Sequence, residues 1–274
     1  MPLWSSLYCQ IDDPQAVAAH LRDSLTALAY TLYDPFSAIP GPAYPQQVRL
    51  FVAPAQAGWV RVLGNPAPEQ LPDLSHLALT LHFTLDGAQE QIAVYAAGAA
   101  ADDSALTPAL RPGFTPADFA RACMSAAPSG ASAPALPLDA LPLDALPDSV
   151  RGMAGGVNSG QADKLFNRLS RDLLGRFGQN AEMDAARALV SGADEPDWSS
   201  AGGARLQAAA ACLTLPANWQ QPDFEALRDA YPLYVRQRRR PGALLYPGDA
   251  AVMARVTNAL DYIPIYGGKR DGGR

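Results

Sequence analysis

The densest group of charges in the chain is a run of four arginines within five residues: Arg236, Arg238, Arg239 and Arg240. Guanidinium groups bind phosphates and carboxylates through paired hydrogen bonds, so this arginine run could hold an anionic ligand or an acidic partner surface. Tyr231, Tyr234 and Tyr246 flank the run, and their rings could stack on a guanidinium or on an aromatic ligand.

The distribution of charge along the chain favours an internal role for the arginine run. Residues 1–130 carry 11 acidic and 5 basic side chains, a net charge of −6, whereas residues 131–274 carry 16 of each. The run is therefore predicted to pair with the acidic first half of its own chain. Nucleic-acid binding through the run is less favoured, because residues 131–274, which contain it, have no net positive charge.

The sequence carries no motif of an established catalytic or metal centre. The histidines are His20, His76 and His82, and the chain lacks the G-x-S-x-G, H-E-x-x-H and C-x-x-C patterns. The glycine-rich stretch 155–160 lacks the lysine and the serine or threonine of a phosphate-binding P-loop, so a flexible turn is the favoured interpretation. The sequence thus predicts no metal site and no cofactor.

A five-residue unit, Ala-Leu-Pro-Leu-Asp, repeats through residues 135–148. Its three prolines exclude a continuous helix and disfavour a central strand, which leaves an extended conformation. A solvated spacer would be rich in glycine, serine or charge. We therefore predict a strap that docks on its own domain or on a partner through five leucines: Leu136, Leu138, Leu141, Leu143 and Leu146.

The first 125 residues alternate between strand and helix patterns, and the order of those patterns predicts an α+β domain with helices packed on one face of an antiparallel sheet. In residues 78–85, apolar and polar side chains alternate, and Asp86-Gly87 favours a tight turn into the next strand. Strands are predicted at 3–11, 48–53, 58–64, 78–85 and 90–98, with a helix over residues 14–30.

The composition changes at residue 126, and we predict a linker or strap rich in proline, alanine, leucine and glycine over 126–160, followed by a mostly α-helical C-terminal region over 161–274. Helices are predicted at 161–178, 181–190, 203–213, 222–231 and 249–260. Ser200 and Asp249 stand where helix caps belong. The tail, residues 261–274, is expected to begin extended and to end loose.

Cys9, Cys123 and Cys212 are odd in number and far apart, which favours a reducing compartment over a disulfide framework. The start of the chain lacks the pattern of a signal peptide, and no apolar run is long enough to cross a bilayer. A cytoplasmic protein with no membrane contact is expected.

Three functions remain open on this evidence. The favoured one is a non-enzymatic structural, adaptor or regulatory subunit that acts through a protein partner or through self-association. The second is an enzyme or small-molecule binder with an anion site between the two regions, in which Arg238, Arg239 and Arg240 hold the ligand and His82 or an acidic residue serves as base. The third is weak nucleic-acid binding through the arginine run.

Overall fold

An antiparallel sheet of eight strands lies at the centre of the computed structural model, which describes residues 4–37, 44–125, 196–242, 244–246 and 248–270. The sheet has the order β2-β8-β3-β4-β1-β5-β6-β7. Its strands are β1 (Trp4–Cys9), β2 (Thr31–Leu32), β3 (Gln46–Val52), β4 (Val60–Gly64), β5 (Thr80–Asp86), β6 (Gln89–Ala96), β7 (Ala99–Ala100) and β8 (Ile263–Lys269).

Six α-helices accompany the sheet in the described residues: α1 (Pro14–Ala27), α2 (Gln70–Leu74), α3 (Pro116–Ser125), α4 (Ala201–Cys212), α5 (Phe224–Arg239) and α6 (Asp249–Arg255). Two 3-10 helices, Asp103–Ala109 and Ala259–Asp261, join them. None of the described helices is both long and apolar enough to cross a membrane. The predicted α+β class, an antiparallel sheet followed by C-terminal helices, is confirmed.

The first helix forms where its local sequence signals place it. The Asp13 carboxylate accepts hydrogen bonds from the backbone N–H groups of Gln15 and Ala16, and Pro14 needs no such partner. Leu21 and Leu25 are fully buried against the sheet. The same face of the sheet carries α2, so the helices predicted early in the chain share one face with a continuous apolar core.

The opposite face of the sheet is also covered by helices. Packing there forms two apolar clusters, one beneath α3 and α4 and one beneath α5. The predicted strand over 78–85 explains how both faces are filled. Leu81, Phe83 and Leu85 are fully buried on the side of the sheet that carries α4. Thr80 and Thr84 point to the side that carries α1.

The C-terminal tail begins extended, as predicted, and its extended part is a strand of the central sheet. Residues Ile263–Lys269 form β8, which pairs along its whole length with β3 and separates β3 from the edge strand β2. Gly268 is required at its position because an added Cβ would lie 2.2 Å from the ring of Tyr44. Two adjacent glycines and Pro264 are poor strand formers, so the strand depends on its pairing partner.

The described segments before and after residues 126–195 belong to one compact unit, Met1–Ser129 with Pro196–Arg274. The predicted strap with its five leucines, the glycine-rich stretch 155–160 and the helices expected at 161–178 and 181–190 all lie outside the described residues. The boundaries proposed at 126–160 and 161 therefore stay predictions.

Candidate functional site

The four arginines of the run do not form a single charged patch in the structure. Arg236, in the last turns of α5, donates to the Asp249 carboxylate at 2.5 Å and lies 5.5 Å from the centre of the Tyr246 ring. Arg238 and Arg239 instead line a groove at the sheet edge formed by β2 and β8, and Arg236 is not part of its lining. Arg240 follows the last residue of α5 and is exposed.

Asp249 has a role other than the helix cap predicted for it. The capping position before α6 is Gly248, and the Asp249 side chain instead accepts hydrogen bonds from Arg236 and from the backbone N–H of Tyr246. Ser200 does cap α4, since its hydroxyl accepts the N–H of Gly203 at 3.1 Å.

A groove of about 580 Å³ lies between α5 and the edge of the sheet, and we call it the α5 groove. One wall is the segment that follows β2, the other wall is the C-terminal half of α5, and β8 forms the floor. Its lining residues are Tyr33, Asp34, Phe36, Tyr231, Val235, Arg238, Arg239, Leu260, Pro264 and Tyr266. This volume falls within the range of small-molecule sites.

Aromatic rings make up much of the α5 groove. The Phe36 ring lies 5.7 Å from that of Tyr231 and 5.9 Å from that of Tyr266, measured between ring centres. Tyr33 lies 6.0 Å from Tyr266 on the other side. Beneath them, the buried Phe51 ring contacts both Tyr231 and Tyr266, which anchors the floor to the core.

The positive charge at the mouth of the α5 groove is only partly neutralised. Arg239 donates to the backbone carbonyl of Phe36, and its guanidinium lies 3.9 Å from the Asp34 carboxylate. No side chain among the described residues forms a hydrogen bond or ion pair with Arg238. Burial raises the pKa values of Tyr231 and Tyr266, so both phenols are protonated at neutral pH and can donate hydrogen bonds.

The opposite edge of the sheet carries a second groove, of about 470 Å³, which we call the β6 groove. Strand β6 spans eight residues, but its outer neighbour β7 pairs only with Tyr95 and Ala96. Residues 89–93 therefore have no strand partner on the outer side within the described part of the chain. An unpaired strand edge of this kind can accept another extended chain.

Helix α3 and one ion pair form the walls of the β6 groove. Phe119, Ala120, Cys123 and Met124 line it from α3, and the Met124 side chain is 77% exposed. Glu90 of β6 points toward α4, where Arg205 donates to both carboxylate oxygens at 2.5 and 2.7 Å. These hydrogen bonds lower the pKa of Glu90 below its ordinary value.

His82 does not belong to the α5 groove. It faces the α1 side of the sheet, beside Leu7 of β1, whereas the α5 groove lies on the opposite side. The alternative in which His82 serves as a base beside the arginines therefore has no support in this geometry. Within the described ranges, no group of three or more histidine, cysteine or acidic side chains is arranged to hold a metal ion.

The chain matches no protein-family model, and comparison with curated proteins and with solved structures finds no match either.

Sequence reasoning missed three parts of these grooves. Tyr33 and Phe36 lie in a proline-containing segment, and no sequence pattern marks them as partners of α5. Helix α3 lies within the first region, where the sequence analysis predicted no helix over these residues. The Glu90–Arg205 ion pair joins residues more than a hundred positions apart, and only their opposite charges could have suggested it.

Proposed function

We propose that this protein is a non-enzymatic binding subunit that takes an extended segment of a partner protein along the outer edge of β6. The observation that carries the proposal is the unpaired stretch of β6 over residues 89–93, next to an apolar groove. Proteins commonly bind extended chains by adding them as a strand to such an edge. The proposal assigns the protein to the cytoplasm, which its three free cysteines support.

The direction of the backbone groups of β6 supports strand addition. The Val94 carbonyl accepts the N–H of Ala101 at 2.8 Å on the outer side of the strand. Backbone groups of alternate residues face the same side in an antiparallel ladder, so those of Ile92 and Glu90 also face outward. Glu90 satisfies its own N–H with its carboxylate. The N–H of Ile92 and the carbonyl groups of Ile92 and Glu90 can thus form hydrogen bonds with an added strand.

Charge and shape indicate the chemistry of the partner segment. The groove lies in the half of the chain with a net charge of −6, and Asp103 lines its rim. The Glu90 charge is already held by Arg205. Apolar side chains of an added strand would meet α3 on one face. We therefore propose a segment in which small apolar and basic residues alternate. A second copy of this chain is a poorer occupant, because pairing would bring two acidic halves together.

A synthetic peptide of alternating lysine and valine tests this proposal by fluorescence anisotropy. Ile92→Pro removes the outward N–H while leaving the ladder to β5 intact, since proline is tolerated at an exposed strand edge. Loss of one backbone hydrogen bond predicts binding weaker by about 2- to 10-fold. Ile92→Val retains the N–H and should bind as the unaltered protein does.

Two further measurements separate strand addition from simple charge attraction. A peptide that is N-methylated at alternate residues keeps the charge but cannot donate to the Glu90 and Ile92 carbonyls, and it should bind more weakly. An alternating glutamate and valine peptide should not bind. Equal binding of the N-methylated peptide would contradict the proposal. So would a dimer in sedimentation experiments that Ile92→Pro abolishes, because self-pairing would then occupy the edge.

A further inference from the structure

The α5 groove has the features of a site for a small molecule, independent of the strand edge at β6. It lies at the opposite end of the sheet, between β8 and α5, and its volume of about 580 Å³ matches that of a ligand with one or two rings. Four aromatic side chains line it, and the ring of Phe36 packs against those of Tyr231 and Tyr266 to form a continuous aromatic surface. A planar ring could pack against these faces and edges.

Three charged side chains line the α5 groove. Arg238 and Arg239 approach from the last turn of α5, and Asp34 neutralises part of the Arg239 charge from 3.9 Å. Arg238 forms no ion pair with the described residues, and the negative end of the α5 dipole favours a cation at this position. Apart from the tyrosine hydroxyls, the rest of the lining is aromatic and aliphatic. The groove therefore offers a cationic group beside an apolar, mostly aromatic surface.

We propose that the α5 groove binds a small aromatic anion, with the carboxylate or phosphate of the ligand on Arg238 and its ring on the aromatic surface of Phe36, Tyr231 and Tyr266. Arginine is suited to this role because its planar guanidinium can donate two parallel hydrogen bonds to either group. Arg239 contributes less, since its guanidinium is already engaged by the Phe36 carbonyl and by Asp34. Arg236 takes no part, because it pairs with Asp249 and does not line the groove.

Isothermal titration calorimetry of the full-length protein with phenyl phosphate and with 4-hydroxybenzoate tests the proposal. The two probes share a ring and a negative charge but differ in the anionic group, so their relative affinities identify the preferred one. Benzamide keeps the ring and the approximate shape of benzoate without the charge. We expect both anions to bind and benzamide to bind at least about tenfold more weakly, as loss of a charge-assisted contact predicts.

A matched pair of arginine variants shows which guanidinium group binds the anion. Arg238→Ala should weaken binding of the preferred anion about tenfold, whereas Arg240→Ala, two residues along and outside the groove, should leave it unchanged. Arg238→Lys should recover only part of the loss, because an ammonium group cannot form the paired contact. Equal losses in Arg238→Ala and Arg240→Ala would indicate diffuse charge attraction and would overturn the proposal.

The aromatic half of the proposed site is tested by Phe36→Ala. Phe36 lies on a segment at the sheet edge and is only partly buried, but it packs against the cluster that contains Phe51, so this change removes a groove wall and also costs some stability. Affinity for both anions should fall while the circular dichroism spectrum, measured well below the unfolding midpoint, stays that of the unaltered protein. Unchanged affinity in Phe36→Ala, or no heat of binding for either anion at millimolar concentration, would overturn the proposal.

Discussion

The largely buried imidazole of His82 predicts a loss of stability in mild acid. His82 lies in the middle of β5, opposite Leu7 of β1 and Ala93 of β6, and its Nε2 atom is 3.0 Å from the hydroxyl oxygen of Ser5. Burial disfavours the charged form of the ring and lowers its pKa from 6.5 to about 4. The folded protein therefore keeps His82 neutral at a pH where the unfolded chain already binds a proton.

The sign and size of the effect follow from proton linkage. Below pH 6.5 the unfolded state binds more protons at this residue than the folded state does, so the free energy of unfolding falls as the pH drops. The loss continues until the pH reaches about 4, where the folded protein also binds a proton. Between about pH 7.5 and about pH 5, His82 alone should reduce the free energy of unfolding by about 2 kcal/mol.

Urea unfolding of the unaltered protein and of His82→Gln at both pH values measures this contribution. A glutamine amide can reach the position of Nε2 and keep the contact with Ser5, but it does not titrate. The unaltered protein should therefore lose about 2 kcal/mol more than His82→Gln over this pH interval. His76→Gln removes an exposed imidazole and controls for the chemical change itself. Equal losses in the unaltered protein and His82→Gln would refute the reasoning.

Three other outcomes follow from contacts on the α4 side and in the sheet. Arg205→Ala should lower the midpoint of thermal or urea unfolding, because it leaves the partly buried Glu90 carboxylate without its partner. Gly64→Ala should destabilise by more than about 1 kcal/mol, since the φ angle is +117° and an added Cβ would lie 2.1 Å from the Arg49 carbonyl oxygen. Thiol labelling of the folded protein should modify Cys123 before the other two cysteines, which are buried.

The parts of the fold that the sequence predicts correctly are those set by neighbouring residues. Asp13 and Pro14 begin α1 because the capping carboxylate and the missing N–H act within one helical turn. The β5–β6 hairpin forms because Gly87 accepts a positive φ angle at the turn and the flanking residues alternate. In both cases the residues that decide the structure lie within a few positions of one another.

Local sequence patterns could not predict which elements cover the face of the sheet opposite α1, or that β8 joins the sheet. Strand β8 is held by pairing with β3, which lies more than two hundred residues earlier, and its own glycines and proline give no strand pattern. The helices after residue 196 were predicted, but their periodicity reveals only which of their faces is apolar. It does not reveal that this face packs on the same sheet as the first 125 residues. Such contacts join residues that are far apart in the sequence, and local secondary-structure propensity does not specify which distant residues will meet.

The arginine run shows how a helix alters the meaning of a cluster in sequence. Successive residues of an α-helix are rotated by about 100°, so Arg238 points away from Arg236, while Arg239 lies only about 60° from Arg236 and reaches the segment after β2 through its long side chain. Treating the run as one patch of charge predicted a single anion site or a single docking surface. On α5 the run instead provides an ion pair to Asp249 from Arg236, and the charged part of the lining of an aromatic groove from Arg238 and Arg239. Because Arg240 lies beyond the helix and outside that groove, the chain itself supplies the control that separates local recognition from net charge.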